Sequence, residues 1–218
     1  MRLIYINPNA TETMTQSIVD AARKALPDAH IIGLTNHDGP RAIEGPEDGE
    51  HAVTGLLKLI PKAKALGADA IIIACFDDTG LAEMRKAADC PVLGIGQSAY
   101  TMAQIIGAEF SVVTSLAVSI PVIDGNIQTT GFGSICRSVR ASGLGVLDID
   151  AGAPEAITRL SEEINLAQTQ DGATAVVLGC AGMAHLRELL AAKTNVQLID
   201  GVAASAYLAQ SAVRFLNT

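Results

Sequence analysis

Gly67-Ala-Asp-Ala-Ile-Ile-Ile-Ala-Cys75 aligns without a gap on Gly172-Ala-Thr-Ala-Val-Val-Leu-Gly-Cys180, 105 residues further along a chain of 218. Each stretch runs from a glycine through an uninterrupted apolar segment to a cysteine. Short apolar runs of this kind are strands buried on both faces, which implies a parallel sheet covered by helices. The correspondence continues outward. Pro91-Val-Leu-Gly-Ile95 answers Asn195-Val-Gln-Leu-Ile199, Ser98-Ala-Tyr100 answers Ser205-Ala-Tyr207, and Arg2 to Ile6 answers Glu109 to Val113. The chain is one unit used twice.

Within the first copy, β-branched runs predict strands at 2–6, 30–34, 69–75 and 91–95, with helices near 11–25, 51–66, 79–88 and 97–107. The second copy predicts strands near 109–114, 134–139, 174–179 and 196–199, and helices near 116–129, 154–169, 183–191 and 201–216. Polar Gly/Pro-rich stretches at 35–50 and 141–153 occupy equivalent places after the second strand of each copy. The expected fold is α/β: two similar parallel-sheet units related by a pseudo-two-fold axis, with the active site in the cleft between them. The units are expected at 1–98 and 99–205, with a C-terminal helix at about 206–218 packing on the first.

Composition fits. Hydrophobic residues make up 49% and charged ones 17%, so a substantial core forms and disorder is excluded. Aromatics are only 3%, with no Trp, which leaves Ala, Ile, Leu and Val to fill the layers. A formal charge of −8 argues against a nucleic-acid backbone or an anionic membrane surface as partner. The longest apolar run, Ala70 to Phe76, is too short to span a bilayer. The N-terminus opens straight into a strand without the basic head and apolar stretch of a signal peptide, so a cytoplasmic protein is expected. Cys75, Cys90, Cys136 and Cys180 form no C-x-x-C pair, which favours free thiols over a disulfide frame or a zinc site. No metal site and no cofactor are expected; His37 and His51 flank an acidic loop without further ligands. Gly94-Ile-Gly96 is a fragment of a dinucleotide loop, but it follows a fourth strand and lacks the third glycine.

In open parallel sheets, ligands bind beyond the carboxyl ends of the strands. Cys75 and Cys180 both stand there, each before an expected helix start, whose dipole and free N–H groups lower a thiol's pKa and hold developing negative charge. Pseudo-symmetry brings the two thiols to one cleft from opposite sides. A pair of acid/base groups flanking one carbon is what stereo-inversion requires. A single cysteine there reads more readily as a small buried hydrophobe, but two at equivalent strand ends are a pattern. Cys90 and Cys136 have no such equivalence and read as structural.

Ile6-Asn-Pro-Asn-Ala-Thr11, Ala74-Cys-Phe-Asp-Asp-Thr-Gly-Leu81, Ser138-Val-Arg-Ala141 and Leu178-Gly-Cys-Ala-Gly-Met-Ala184 together resemble the Asp/Glu/hydantoin racemase family, closest to its hydantoin and allantoin racemase branch. The resemblance covers essentially the whole chain. It implies a pair of Rossmann-like domains, cofactor-independent racemisation by two cysteines, here Cys75 and Cys180, and a homo-oligomer. Two positions depart from the branch: Asp77-Asp-Thr-Gly-Leu81 replaces Gly-Asp-Pro-Gly-Leu, and Gln97 stands where an acidic residue is expected. Both border the cleft and bear on substrate identity.

Further binding candidates follow from position. Asn7 and Asn9 end the first strand, and either amide can grip a polar ligand, although Asn9 can also be an N-cap. Phe76, Asp78, Thr79 and Gly80 follow Cys75; Asp78 and Thr79 serve equally well as helix caps. Ala181 and Gly182 mirror them after Cys180. Thr114 and Ser115 end the strand equivalent to the first. Asp77 reads as a possible orienting acid or an exposed loop acid. The expected substrate is a small molecule, a cyclic ureide such as a 5-substituted hydantoin or allantoin, whose acidic carbon lies between a carbonyl and a nitrogen. The alternatives are an aspartate/glutamate racemase, an isomerase or decarboxylase of the maleate isomerase or arylmalonate decarboxylase kind, and a non-catalytic two-lobed binding protein.

Overall fold

The computed structural model describes the whole chain, Met1 to Thr218. In its first half, β1 (Arg2–Asn7), β2 (His30–Thr35), β3 (Ala70–Ile73) and β4 (Val92–Gly94) form a parallel sheet in the order β2-β1-β3-β4. In the second, β5 (Phe110–Thr114), β6 (Cys136–Ala141), β7 (Ala175–Gly179) and β8 (Gln197–Asp200) repeat it as β6-β5-β7-β8. The central strands are buried throughout, as their unbroken apolar runs require. The helices are α1 (Glu12–Ala25), α2 (Pro46–Ala65), α3 (Leu81–Ala87), α4 (Ile95–Ile105), α5 (Ile120–Thr129), α6 (Val146–Ala151), α7 (Pro154–Thr169), α8 (Arg187–Ala191) and α9 (Gly201–Leu216).

Strand alternation divides the first sheet's side chains. Leu3, Tyr5, Ala70 and Ile72 enter a core of 45 buried residues that runs on through the second half, so the two copies share one interior. Ile4, Ile6, Ile71 and Ile73 point the other way, where they pack with Leu56 of α2 and Met84 of α3. The last helix of each half crosses over. α4 reaches β7 and β8, and Tyr100 stacks on Phe110 at 5.6 Å between ring centroids. α9 reaches β3 and β4, and the Tyr5 hydroxyl donates to Val202 O at 3.1 Å. The two helices pack against each other near the pseudo-axis, where a Cβ on Gly201 would collide with Ile95 O. No helix is long and apolar enough to cross a membrane.

Four elements differ from the sequence expectation. α2 begins at Pro46 rather than near 51, because Pro46 fits the first helical turn and Glu47 and Asp48 complement its positive end. α6 forms inside the stretch 141–153 that reads as loop. The helix expected at 79–88 contracts to seven residues, since Asp78 (φ 51) and Gly80 (φ 68) are left-handed and cannot belong to it. The helix expected at 183–191 is a 3-10 segment, Ala181–Leu186, followed by the short α8.

Candidate active site

Cys75 and Cys180 follow the third strand of each sheet and line one cavity between the halves. The first half contributes Asn9, Met14, Ile43, Phe76 and Asp77, and the second Thr114, Ser115, Ser119, Val146 and Ala181. The space enclosed is about 30 Å³, room for one or two waters. Its roof is made by the two equivalent loops. Glu44 Oε1 accepts from Val146 N at 2.8 Å and so ties the loop before α2 to the start of α6 across the cleft. A cavity of about 700 Å³ lies elsewhere, between α1, α4, α8 and α9, and is the larger of the two. It holds no thiol, so chemistry rather than size selects the smaller one.

Of the residues expected to bind, Asn9, Phe76, Thr114, Ser115 and Ala181 meet at this cavity with both cysteines. The Ser115 hydroxyl has no partner within the protein, whereas Thr114 Oγ1 donates to Gly179 O at 2.9 Å. The others stand one layer back. Asn7 Nδ2 donates to Asn9 Oδ1 (2.8 Å) and Thr15 Oγ1 (3.0 Å), and its Oδ1 accepts from Asn9 N (3.2 Å); Asn7 therefore sets the turn that presents Asn9. Thr79 Oγ1 donates to Cys75 Sγ at 3.5 Å. The backbone N–H groups of Gly182 and Asp77 favour the thiolate forms of Cys180 and Cys75 respectively. Gly80 forms the left-handed corner before α3, against Leu56 and Val53.

Asp78 is turned to a structural task. Its carboxylate accepts from Gly96 N (2.9 Å) and Gln97 N (2.7 Å), the first turn of α4. In the second half Asp200 does this for α9 from its own N-cap position, accepting from Val202 N and Ala203 N. The equivalent N-cap of α4 is Gly94, which has no side chain, and a Cβ there would collide with the Asp78 carboxylate. The glycines of Gly94-Ile-Gly96 thus admit a carboxylate rather than a nucleotide. Asp78→Ala is expected to lower unfolding stability by about 1–3 kcal/mol, with a smaller loss for Asp78→Asn, which still accepts. Denaturant midpoints measure this, and an unchanged midpoint in Asp78→Ala contradicts the capping role.

The electrostatics differ from the expectation of lowered thiol pKa values. Burial pushes the Cys75 thiol far up, and that of Cys180 up to about 12. The nearby Asp77 charge adds to both, and the N–H donors oppose it only partly. No long α-helix starts at either sulfur to supply a macrodipole, so desolvation prevails. Sequence reading left Asp77 undecided and missed Met14, Ser119, Ile43 and Val146. The signal for the last two was apolar residues placed in otherwise polar loops. No group of three His, Cys, Asp or Glu side chains is arranged to hold a metal ion.

The chain matches the profile of the family described as Asp/Glu/Hydantoin racemase over residues 3–209. It is 41% identical to a hydantoin racemase from Rhizobium meliloti over 97% of this chain and 88% of that protein, and 35% identical to one from a Pseudomonas species over 98% and 86%. An allantoin racemase structure from Klebsiella pneumoniae superposes with a TM-score of 0.94 at 34% identity, covering 99% of this chain and 88% of the other. Likeness in sequence along nearly the whole length, together with likeness in fold, places the protein: it is a racemase and belongs to the Asp/Glu/hydantoin racemase family.

Proposed function

We propose that this racemase inverts the hydrogen-bearing ring carbon of a cyclic ureide, a 5-substituted hydantoin or allantoin, with Cys75 and Cys180 as opposed acid and base. The observation that carries the reading is the pair of thiols at equivalent strand ends facing one cavity. One sulfur, as thiolate, removes the ring proton. The electrons move onto the adjacent carbonyl as an enolate, and the opposite thiol delivers its own proton to the other face. Thiolate and thiol have then exchanged places, and turnover from the mirror image restores them.

The lining also bears on the substrate. It contains an acid, Asp77, and no Lys, Arg or His. A free aspartate or glutamate would bring two carboxylates, only one of them balanced by its own ammonium group, to a site whose side chains offer no cation to pair the other. A neutral ring avoids that cost. The roof must part for it to enter, because the enclosed space holds water but not a five-membered ring.

Polarimetry on allantoin, on 5-methyl, 5-isopropyl and 5-benzyl hydantoin, and on aspartate and glutamate tests the assignment in metal-free buffer without added cofactor. Optical rotation is expected to decay to zero for at least one ureide and to persist for both amino acids. Loss of activity after exhaustive EDTA dialysis, restored by metal, contradicts a mechanism carried by the thiols alone.

A further inference from the structure

We infer that Asp77 selects the ring substituent, favouring substrates whose side arm presents a cationic or N–H-rich group over those with a purely apolar arm. The inference rests on the ureide reading above and names the subclass of substrate within it. Asp77 lines the cavity, and its carboxylate has no hydrogen-bond partner anywhere in the protein; only its backbone is held, with Asn126 Nδ2 donating to Asp77 O at 2.9 Å. Its neighbour in sequence is the contrast, since Asp78 is fully engaged at α4. Neither carboxylate oxygen is sealed from solvent, so water satisfies it in the empty site, and a substrate that displaces that water must supply the donors itself.

Chemistry makes the same demand. The reaction needs a thiolate at one sulfur and an enolate between the two, and the Asp77 charge acts against a thiolate at both Cys75 and Cys180. Burial raises the Asp77 carboxyl to about 7, so above neutral pH it places a charge beside two developing anions and slows the proton transfer; a carboxylate neutralised by the substrate does not. A substituent carrying an ammonium, guanidinium or ureido group satisfies the carboxylate and relieves the thiols together. An alkyl arm does neither, and it seals the carboxylate from water as it binds. The lining offers no basic residue as an internal substitute.

An isosteric pair tests this: 5-(3-aminopropyl)hydantoin and 5-butylhydantoin, with allantoin alongside, assayed for kcat/KM by chiral chromatography on wild type, Asp77→Asn and Asp77→Ser. Wild type is expected to prefer the aminopropyl compound by about ten-fold or more. Both variants are expected to reduce that ratio at least ten-fold, slowing the aminopropyl compound and allantoin while racemising the butyl compound faster than wild type does. A ratio unchanged in the variants, or a wild type that prefers the butyl arm, overturns the role of Asp77 and leaves the ureide reading intact. A wild type that racemises none of the three removes the ureide reading, and this inference with it.

Discussion

Cys75→Ser and Cys180→Ser are each expected to abolish racemisation of both enantiomers, with rate losses on the order of 10³-fold or more. Turnover takes a proton at one sulfur and delivers one from the other, and a serine hydroxyl is far too weak an acid to stand in. Each variant nevertheless keeps one competent base. In heavy water, therefore, one should still exchange the ring proton of one enantiomer, and the other variant that of its mirror image. NMR of deuterium incorporation into each pure enantiomer reads this directly. Cys90→Ser and Cys136→Ser serve as controls expected near wild-type rates. Cys90 packs against the first sheet's outer cluster and Cys136 opens β6, donating to Ser138 O at 3.6 Å, so neither reaches the cavity. Both active-site variants exchanging the same enantiomer, or either keeping near-normal racemisation, removes the two-base assignment.

The raised thiol pKa values set the pH response of that same reaction. With burial holding Cys75 high and Cys180 up to about 12, the resting pair is thiol and thiol at neutral pH, and the competent thiolate is scarce. Raising the pH increases its fraction, more slowly around pH 7, where Asp77, raised by burial, acquires the charge that opposes both thiolates; kcat/KM is therefore expected to climb from pH 6 to pH 9 without the falling limb that a second thiol ionisation would bring. A maximum below pH 7 contradicts two uncharged thiols at rest.

The repeat made the architecture legible because each central strand is an unbroken apolar run closed by a cysteine, and nothing but a doubly covered parallel strand suits Ala70-Ile-Ile-Ile73. Both cysteines and their immediate neighbours could be read for the same reason: strand ends are where the topology puts ligands. What could not be read depends on pairs distant in sequence. Asp78 caps a helix that starts 17 residues later, and Glu44 reaches Val146 from the other half. The direction of the thiol pKa shift was unreadable as well. A helix start counts in sequence as a positive dipole, but here left-handed Asp78 and Gly80 shorten one helix and a 3-10 turn replaces the other, leaving burial to decide.

The motif Ser138-Val-Arg-Ala141, which helped to identify the family, has a structural explanation that yields an expected loss of stability. β6 is the edge strand of the second sheet, and Arg140 fastens it to the helix layer. Arg140 Nε donates to Glu163 Oε2 of α7 at 2.8 Å, and Nη1 to Asp171 at 3.1 Å. Glu163 also accepts from Arg159 Nη2 at 2.5 Å, and Arg159 Nε in turn donates to Ser142 O at 2.9 Å, which holds the loop leading to α6. The Glu163 side chain is only 9% exposed and that of Arg140 21%, so solvent screens this network far less than the exposed pairs elsewhere on the surface. Glu163→Ala removes one of the two carboxylates that hold Arg140, which keeps Asp171, and is expected to cost about 1–3 kcal/mol. Glu163→Gln, which keeps the shape and one acceptor, should cost less, and Lys58→Ala at the exposed Asp38 pair less than about 1 kcal/mol. Urea midpoints give the order, and high salt should close little of the gap for Glu163. Because none of these side chains lines the cavity, the racemisation rate per folded molecule should hold in Glu163→Gln. A variant that kept its midpoint yet lost its rate would place Arg140 and Glu163 in the chemistry instead of the scaffold.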